Sequence, residues 1–154
     1  MIHRRTALAC VGLLVGRVPV AAQHVVQVLV WRDPYCGCCS SWVAHLRSEG
    51  FAVDDQVVRA VGPIRQSLGT PIDLLSCHAG QVEGFVLEGH VPAPAIRRLL
   101  TERPAGVRGL AVPEMPIGSP GMEVPDRAPE TYEVIAFGAG PHRPFMRFTG
   151  GLPS

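Results

Sequence analysis

Cysteine residues are concentrated in one short stretch of this chain of 154 residues. Cys36, Cys38 and Cys39 stand within four consecutive positions, inside residues 33–41 (DPYCGCCSS). Thiolates bind soft metal ions and attack disulfides, and a thiol near a helix N-terminus loses its proton more easily because it faces the positive end of the helix dipole. The stretch therefore predicts a metal-binding or redox-active site.

The flanking residues place these cysteines on a turn between a strand and a helix. Residues 25–31 (VVQVLVW) form an almost uninterrupted apolar, β-branched run, which predicts a strand buried on both faces. Ser40 and Ser41 suit a helix N-terminus, and apolar residues from Trp42 onward repeat at helical spacing until Gly50, a residue suited to a helix end.

The remaining elements predict an α/β (α+β) domain. They are a strand (51–58), a short helix (62–68), a connector (71–76), a β-hairpin (79–82 and 85–88), a helix (92–103), a long loop (109–123) and a terminal hairpin (131–137 and 143–148). The order β-α-β-α-β-β-α is that of the thioredoxin fold. We therefore expect one thioredoxin-like domain over residues 23–154, with a C-terminal loop and hairpin extension.

A fourth cysteine is expected to join the other three. The thioredoxin-like fold places the residues before its third strand against the first strand-to-helix turn, and Cys77 stands where thioredoxins carry a cis-proline. Four thiols should therefore converge, those of Cys36, Cys38, Cys39 and Cys77. If the site is redox-active, Cys36 and Cys39 are the reactive pair, because they have the Cys-x-x-Cys spacing.

The N-terminal residues resemble a signal peptide. A basic start (residues 1–5), an apolar core (7–16) and small residues (20–22) predict cleavage after residue 22 and export to the periplasm. An uncleaved N-terminal anchor is the alternative. With a net charge of +1, the protein has no overall electrostatic attraction for nucleic acid or an anionic membrane. No second candidate membrane segment follows the N-terminal one.

The motifs in this order resemble a bacterial family of predicted metal-binding proteins, long labelled a domain of unknown function, which includes the CopG periplasmic copper-resistance proteins. The resemblance covers residues 28–148 and implies a thioredoxin-like fold, a periplasmic location and copper handling with thiolate-bound Cu(I). Ala79 stands where the family suggests threonine, and Glu114 where it suggests glycine. The matching segments are residues 33–39, 76–78, 82–92, 109–113 and 118–123.

The donor atoms favour copper over other metals. Thiolates select Cu(I), zinc or iron–sulfur clusters over hard cations. The side chains of the adjacent Cys38 and Cys39 diverge, which suits bridging thiolates of a small polynuclear Cu(I) cluster better than one tetrahedral ion. Structural zinc sites usually use two separated Cys-x-x-Cys pairs, and only one is present, so zinc is the alternative. The expected partners are copper ions and other periplasmic copper-handling proteins.

Four further residues are candidates for ligands or neighbours of the metal: His78, His90, Met115 and Met122. Alternation along a strand would point His78 away from Cys77, and His90 could instead cap the next helix. The two methionines lie in a Pro/Gly-rich loop that could fold back over the site, although anchoring of that loop in the core is the commoner role.

Other residues near the cysteines are assigned to structural roles. His45 is expected to be solvated. Trp31 and Tyr35 are expected to shield the thiols from water. Asp33 has two possible roles: it could accept hydrogen bonds at the turn or, as a nearby anion, raise the pKa of the thiols against the effect of the helix.

Alternative interpretations remain for the cysteines and for the function. In an oxidising compartment the cluster could be a structural disulfide with a spare thiol, and Cys77 a small buried side chain or a disulfide partner. Independently of this, the protein could be a thiol–disulfide oxidoreductase, although Cys77 replaces the proline that orients peptide substrates in thioredoxins. A third possibility is a zinc-stabilised interaction module, which would unfold when the metal is removed.

Overall fold

The computed structural model describes residues 25–154, and the predicted signal peptide lies outside them. Over these residues it is a mixed α/β structure, as the element order predicts, with one eight-stranded sheet and three helices. The helices are α1 (Gly37–Ser48), α2 (Gly62–Leu68) and α3 (Ala93–Glu102), and a 3-10 turn covers Ile72–Leu74. The strands are β1 (Gln27–Arg32), β2 (Ala52–Val57), β3 (Ala79–Val82), β4 (Phe85–Glu88), β5 (Val107–Ala111), β6 (Thr131–Gly138), β7 (Arg143–Thr149) and β8 (Leu152–Pro153).

The order of the strands in the sheet is β2-β1-β3-β4-β5-β6-β7-β8. β1 is parallel to β2 and antiparallel to β3, and β3 and β4 form the predicted hairpin. Its two-residue turn, Glu83 and Gly84, has positive φ angles of 43° and 86°, which match the twist of the two strands.

The main core lies between the sheet and helices α1 and α3. Its fully buried side chains include Trp42 and Leu46 from α1, Ile96 and Leu99 from α3, and Leu87 from β4. A smaller cluster on the opposite face packs the 3-10 turn against the middle of the sheet, through Leu74, Val86, Ala111 and Phe137.

The prediction that the first strand is buried on both faces is wrong. Val28 and Val30 are fully buried beneath the helices, but Leu29 is only half-buried and Gln27 is exposed. The smaller core cluster covers the opposite face over other strands, so this face of β1 stays partly open to solvent.

Helix α1 begins earlier than the two serines suggest. Cys36 is its N-cap residue and Gly37 its first residue, so Cys38 and Cys39 belong to the first turn. The hydroxyl of Ser40 lies 3.4 Å from the carbonyl oxygen of Cys36, four residues earlier. This i to i−4 contact is typical of a serine inside a helix and not of one that caps it. The helix ends at Ser48, and Gly50 follows its C-cap residue Glu49 with φ +85°, as predicted for a glycine just past a helix end.

The predicted long loop contains part of a strand. Residues 109–111 belong to β5, which pairs in parallel with β4 and antiparallel with β6, so the terminal hairpin β6–β7 extends the same sheet. A Cβ atom at Gly109 would lie 2.4 Å from the carbonyl oxygen of Val86 and 2.5 Å from the ring of Phe137. Glycine is required there by close packing, although its presence in the sequence suggests a loop.

Among the helices described for residues 25–154, none combines the length and apolar character needed to cross a membrane.

Candidate metal centre

The turn after β1 presents the first three cysteines. The side chain of Asp33 accepts a hydrogen bond of 2.8 Å from the backbone N–H of Tyr35, and its carbonyl oxygen accepts one of 3.2 Å from that of Cys36. These bonds, one of the two roles open to Asp33, fix the entry into α1, so Cys36, Cys38 and Cys39 occupy the N-cap and first turn of the helix.

The register of the sheet brings Cys77 to the same place. Trp31 near the end of β1 pairs with Ala79 at the start of the antiparallel β3. The residues just before Ala79 therefore lie beside those just after Trp31. The sulfur atoms of the four cysteines lie within 4.8 Å of one another, which confirms the predicted convergence: Cys36, Cys38, Cys39 and Cys77.

Two of these four cysteines are joined by a disulfide. Cys36 and Cys39, the pair with the Cys-x-x-Cys spacing, are bonded with an S–S distance of 2.00 Å. Cys38 and Cys77 are free thiols, and the sulfur of Cys38 lies 3.4 Å from that of Cys36. All four sulfur atoms can serve as thiolate ligands only after the disulfide has been reduced.

Two buried histidines contact the fourth cysteine. Nδ1 of His78 lies 3.2 Å, and Nε2 of His90 3.0 Å, from the sulfur of Cys77. Both rings are fully buried, and these three donor atoms form a second group that could hold a metal ion. The expectation that alternation would point His78 away from Cys77 is wrong, because residues 77 and 78 precede β3 and do not follow the alternation of a strand.

Burial controls the protonation of this group. It raises the pKa of the Cys77 thiol from 9.0 to about 12, with a further contribution from Cys38. Burial also lowers the pKa of both His78 and His90, which keeps their rings neutral. Neutral imidazoles are ready to bind a metal, whereas the Cys77 thiol must first lose its proton. The low thiol pKa expected at a helix N-terminus does not extend to Cys77, which lies outside the helix.

The loop after β5 packs against the start of α1. A Cβ atom on Gly121 would lie 2.6 Å from the backbone nitrogen of Trp42 and 2.8 Å from the carbonyl oxygen of Cys38. The carbonyl oxygen of Pro120 lies 2.7 Å from Nδ1 of His90. The loop therefore folds back over the site, as its Pro/Gly content suggested.

The two methionines of this loop differ in exposure. Met115 is 48% exposed, which contradicts a role in anchoring the loop in the core, and Met122 is half-buried. Their possible roles as metal ligands stay predictions.

Two side chains near the cysteines, Tyr35 and His45, differ from expectation. Tyr35 is 94% exposed and does not shield the thiols. Trp42 is the buried aromatic residue of the site: its ring lies 4.3 Å from that of His78, and its Nε1–H donates to the carbonyl oxygen of Val91. His45 is half-buried and not solvated, and burial lowers its pKa.

Sequence reasoning missed a buried ion pair next to Cys77. The carboxylate of Glu88 is fully buried and lies 3.0 Å from Nε of Arg65. It also accepts a hydrogen bond of 2.8 Å from the backbone N–H of Ser76. Burial raises the pKa of Glu88, while Ser76 and Arg65 oppose this shift. The one sequence feature that pointed to this ion pair was Glu88 itself, a charged residue at the end of a short apolar strand.

The chain is similar to an uncharacterised family and to solved structures of copper resistance proteins. Residues 74–122 match the family described as "Protein of unknown function, DUF411". The structure named "Copper resistance protein copG- Form 2" is 39% identical with a TM-score of 0.74, and the match covers 80% of this chain and 98% of that one. "Copper resistance protein copG- Form 1" has the same identity and TM-score, with 82% and 99% covered. No curated protein matches the chain.

Proposed function

The chain belongs to the DUF411 family, which includes the CopG copper resistance proteins, and on that basis we propose that it binds copper ions in copper resistance or homeostasis. The observation that carries the proposal is the set of four sulfur atoms within 4.8 Å of one another. Reduced cysteines at this separation provide soft thiolate donors, which prefer Cu(I) among the common metal ions. Adjacent thiolates can bridge ions, so the bound form is a small polynuclear Cu(I) cluster.

The proposed fold of residues 27–102 is thioredoxin-like. The strand order β2-β1-β3-β4, with β1 parallel to β2 and antiparallel to β3, supports it. So does the disulfide at the first strand-to-helix turn. In the same proposal the mature protein is periplasmic and exchanges copper with other copper-handling proteins there.

Copper binding is coupled to the Cys36–Cys39 disulfide in this proposal. Oxidation of the two thiolates to the disulfide releases two electrons, which two Cu(II) ions take up as each is reduced to Cu(I). Two electrons from a reductant are needed to open the disulfide again and restore the two thiolate ligands.

An anaerobic Cu(I) titration against a competing chelator tests the function. Fully reduced protein should bind more than one copper ion and protect four thiols from labelling. The matched control is the same protein with the Cys36–Cys39 disulfide intact, which lacks two of the four donors and should bind less copper. Equal binding by both forms would contradict the thiolate cluster, and preference for zinc would favour the zinc-stabilised module.

A thiol–disulfide oxidoreductase is the second candidate, favoured by the disulfide with the Cys-x-x-Cys spacing. In this reaction the reduced pair is oxidised to a disulfide while a client disulfide is reduced to two thiols. Rapid turnover of a disulfide substrate together with weak copper binding would favour this alternative.

A further inference from the structure

Ser76, the residue before Cys77, is held by three side-chain or loop contacts. Its backbone N–H donates to the carboxylate of Glu88 at 2.8 Å, and its carbonyl oxygen accepts a hydrogen bond of 2.6 Å from Nη2 of Arg65. Its hydroxyl donates to the carbonyl oxygen of Glu114 at 2.5 Å. All the polar groups of Ser76 therefore have partners from distant parts of the chain.

Arg65 and Glu88 also bind each other, so that Arg65, Glu88 and the backbone of Ser76 form one hydrogen-bonded network. Nε of Arg65 donates to the Glu88 carboxylate while Nη2 reaches Ser76. Glu88 is fully buried and the Arg65 side chain is 15% exposed. A buried carboxylate needs its ionic and hydrogen-bonding partners, so the position of each member of this network depends on the others.

We propose that Arg65 and Glu88 are positioning residues of the metal centre, which place the thiol of Cys77 beside that of Cys38 by holding the backbone of Ser76. Cys77 has no helix of its own to position it, since it lies between the 3-10 turn and β3. As part of a copper site, this role rests on the proposed function.

Lysine cannot replace Arg65 in this role. A guanidinium presents several N–H groups in a fixed plane and can bind a carboxylate and a carbonyl oxygen at once, whereas an ammonium is a single point charge. Arg65→Lys therefore keeps the positive charge near Glu88 but loses one of the two contacts.

A double-mutant cycle with Cys77→Ser tests the proposal. In reduced protein, Arg65→Lys should weaken Cu(I) binding by at least about tenfold when Cys77 is present, as expected for residues that orient ligands. In the Cys77→Ser protein it should have almost no further effect, because the thiol through which it acts is gone. Equal losses in both proteins, or no loss in either, would overturn the proposal.

The matched control is Arg98→Lys. Arg98 makes the same kind of double contact, to the carboxylate of Glu102 and the carbonyl oxygen of Phe145, on the outside of α3. The Arg98→Lys substitution should leave Cu(I) binding unchanged. Should Arg65→Lys fail to fold, Glu88→Gln gives the same comparison, since its amide oxygen can still accept from Ser76 but cannot form an ion pair.

A second readout separates this proposal from copper binding. With the Cys36–Cys39 disulfide intact and no metal, diamide should take up two hydrogens from the Cys38 and Cys77 thiols and join them in a disulfide. This cross-link should form severalfold more slowly in Arg65→Lys than in wild type or Arg98→Lys. If Arg65→Lys slows the cross-linking but the wild-type protein binds no copper, the copper function is refuted and the positioning role stands. If Arg65→Lys cross-links at the wild-type rate, the positioning role is refuted.

Discussion

Nε2 of His90 lies 3.0 Å from the sulfur atom of Cys77, and the opposite ring nitrogen, Nδ1, lies 2.7 Å from the carbonyl oxygen of Pro120. Because a carbonyl oxygen only accepts hydrogen bonds, Nδ1 must carry the proton, and the lone pair of Nε2 faces the thiol. The ring is thus held in the tautomer that can accept the thiol proton or bind a metal, as is usual for metal-binding histidines.

Replacement of Cys77 should weaken Cu(I) binding far more than replacement of His45, a histidine outside the site. Cys77→Ser removes a soft donor that contacts both the thiol cluster and the two buried imidazoles, so we expect at least about a hundredfold loss of affinity. His45→Ala is the control, because His45 belongs to neither group of potential ligands described for residues 25–154. Competition with a Cu(I) chelator measures both affinities, and equal losses would exclude Cys77 from the site.

The Cys77 thiol should react unusually slowly at neutral pH. Burial raises its pKa from 9.0 to about 12, and only the thiolate is alkylated. The iodoacetamide rate at Cys77, followed by peptide mass spectrometry without metal, should still rise steeply above pH 10, whereas in unfolded protein it should be half-maximal near pH 9 and level off above that. The same shift stabilises the fold below pH 9, and this contribution is lost as the pH rises toward 12. A half-maximal rate near pH 9 in folded protein would contradict the raised pKa.

Most of the fold was predictable because its elements are short and separated by glycine and proline. The hairpin of β3 and β4 and helix α2 have the predicted bounds, and α3 differs by one residue at each end. β5 was hidden because Gly109 is required by close packing against Val86 and Phe137, which a sequence pattern does not reveal. The open face of β1 was missed because strand composition does not show how far the opposite side is covered.

The convergence of the four cysteines was predictable from element order, whereas the histidines were only partly so. His78 and His90 could be named as candidates, but their contacts with Cys77 depend on the connection before β3 and on the loop at Pro120. Arg65 and Glu88 lie 23 positions apart on different elements, and nothing in the sequence links them.

Removal of residues 1–22 should change the location of the protein but not its fold. If the segment is a signal peptide, the shortened protein stays in the cytosol and folds, since the main core described for residues 25–154 contains no residue before Val26. Cell fractionation and thermal denaturation measure the two effects. A shortened protein that fails to fold would mean that the segment belongs to the domain.

Glu114→Gly should stabilise the protein. Glu114 has φ +63°, a backbone conformation that costs a residue with a Cβ atom about 1–2 kcal/mol. Glycine avoids this cost but loses about 0.5–1 kcal/mol through its greater freedom in the unfolded chain, so we expect a net gain of about 0.5–1 kcal/mol. The control, Glu133→Gly in β6, should be destabilising. Urea denaturation measures both, and a loss in Glu114→Gly would mean that the glutamate side chain makes a stabilising contact.

Gly121→Ala should displace the loop that covers the start of α1. The added Cβ would lie 2.6 Å from the backbone nitrogen of Trp42, so the loop must move, which costs about 1–3 kcal/mol as overpacking does. Gly140→Ala is the matched control, because Gly140 also has a positive φ (+99°) but no atom near the added Cβ. The excess loss of stability in Gly121→Ala should be accompanied by weaker Cu(I) binding, since Pro120 orients His90. Equal stability of the two variants would show that the loop does not depend on its contact with α1.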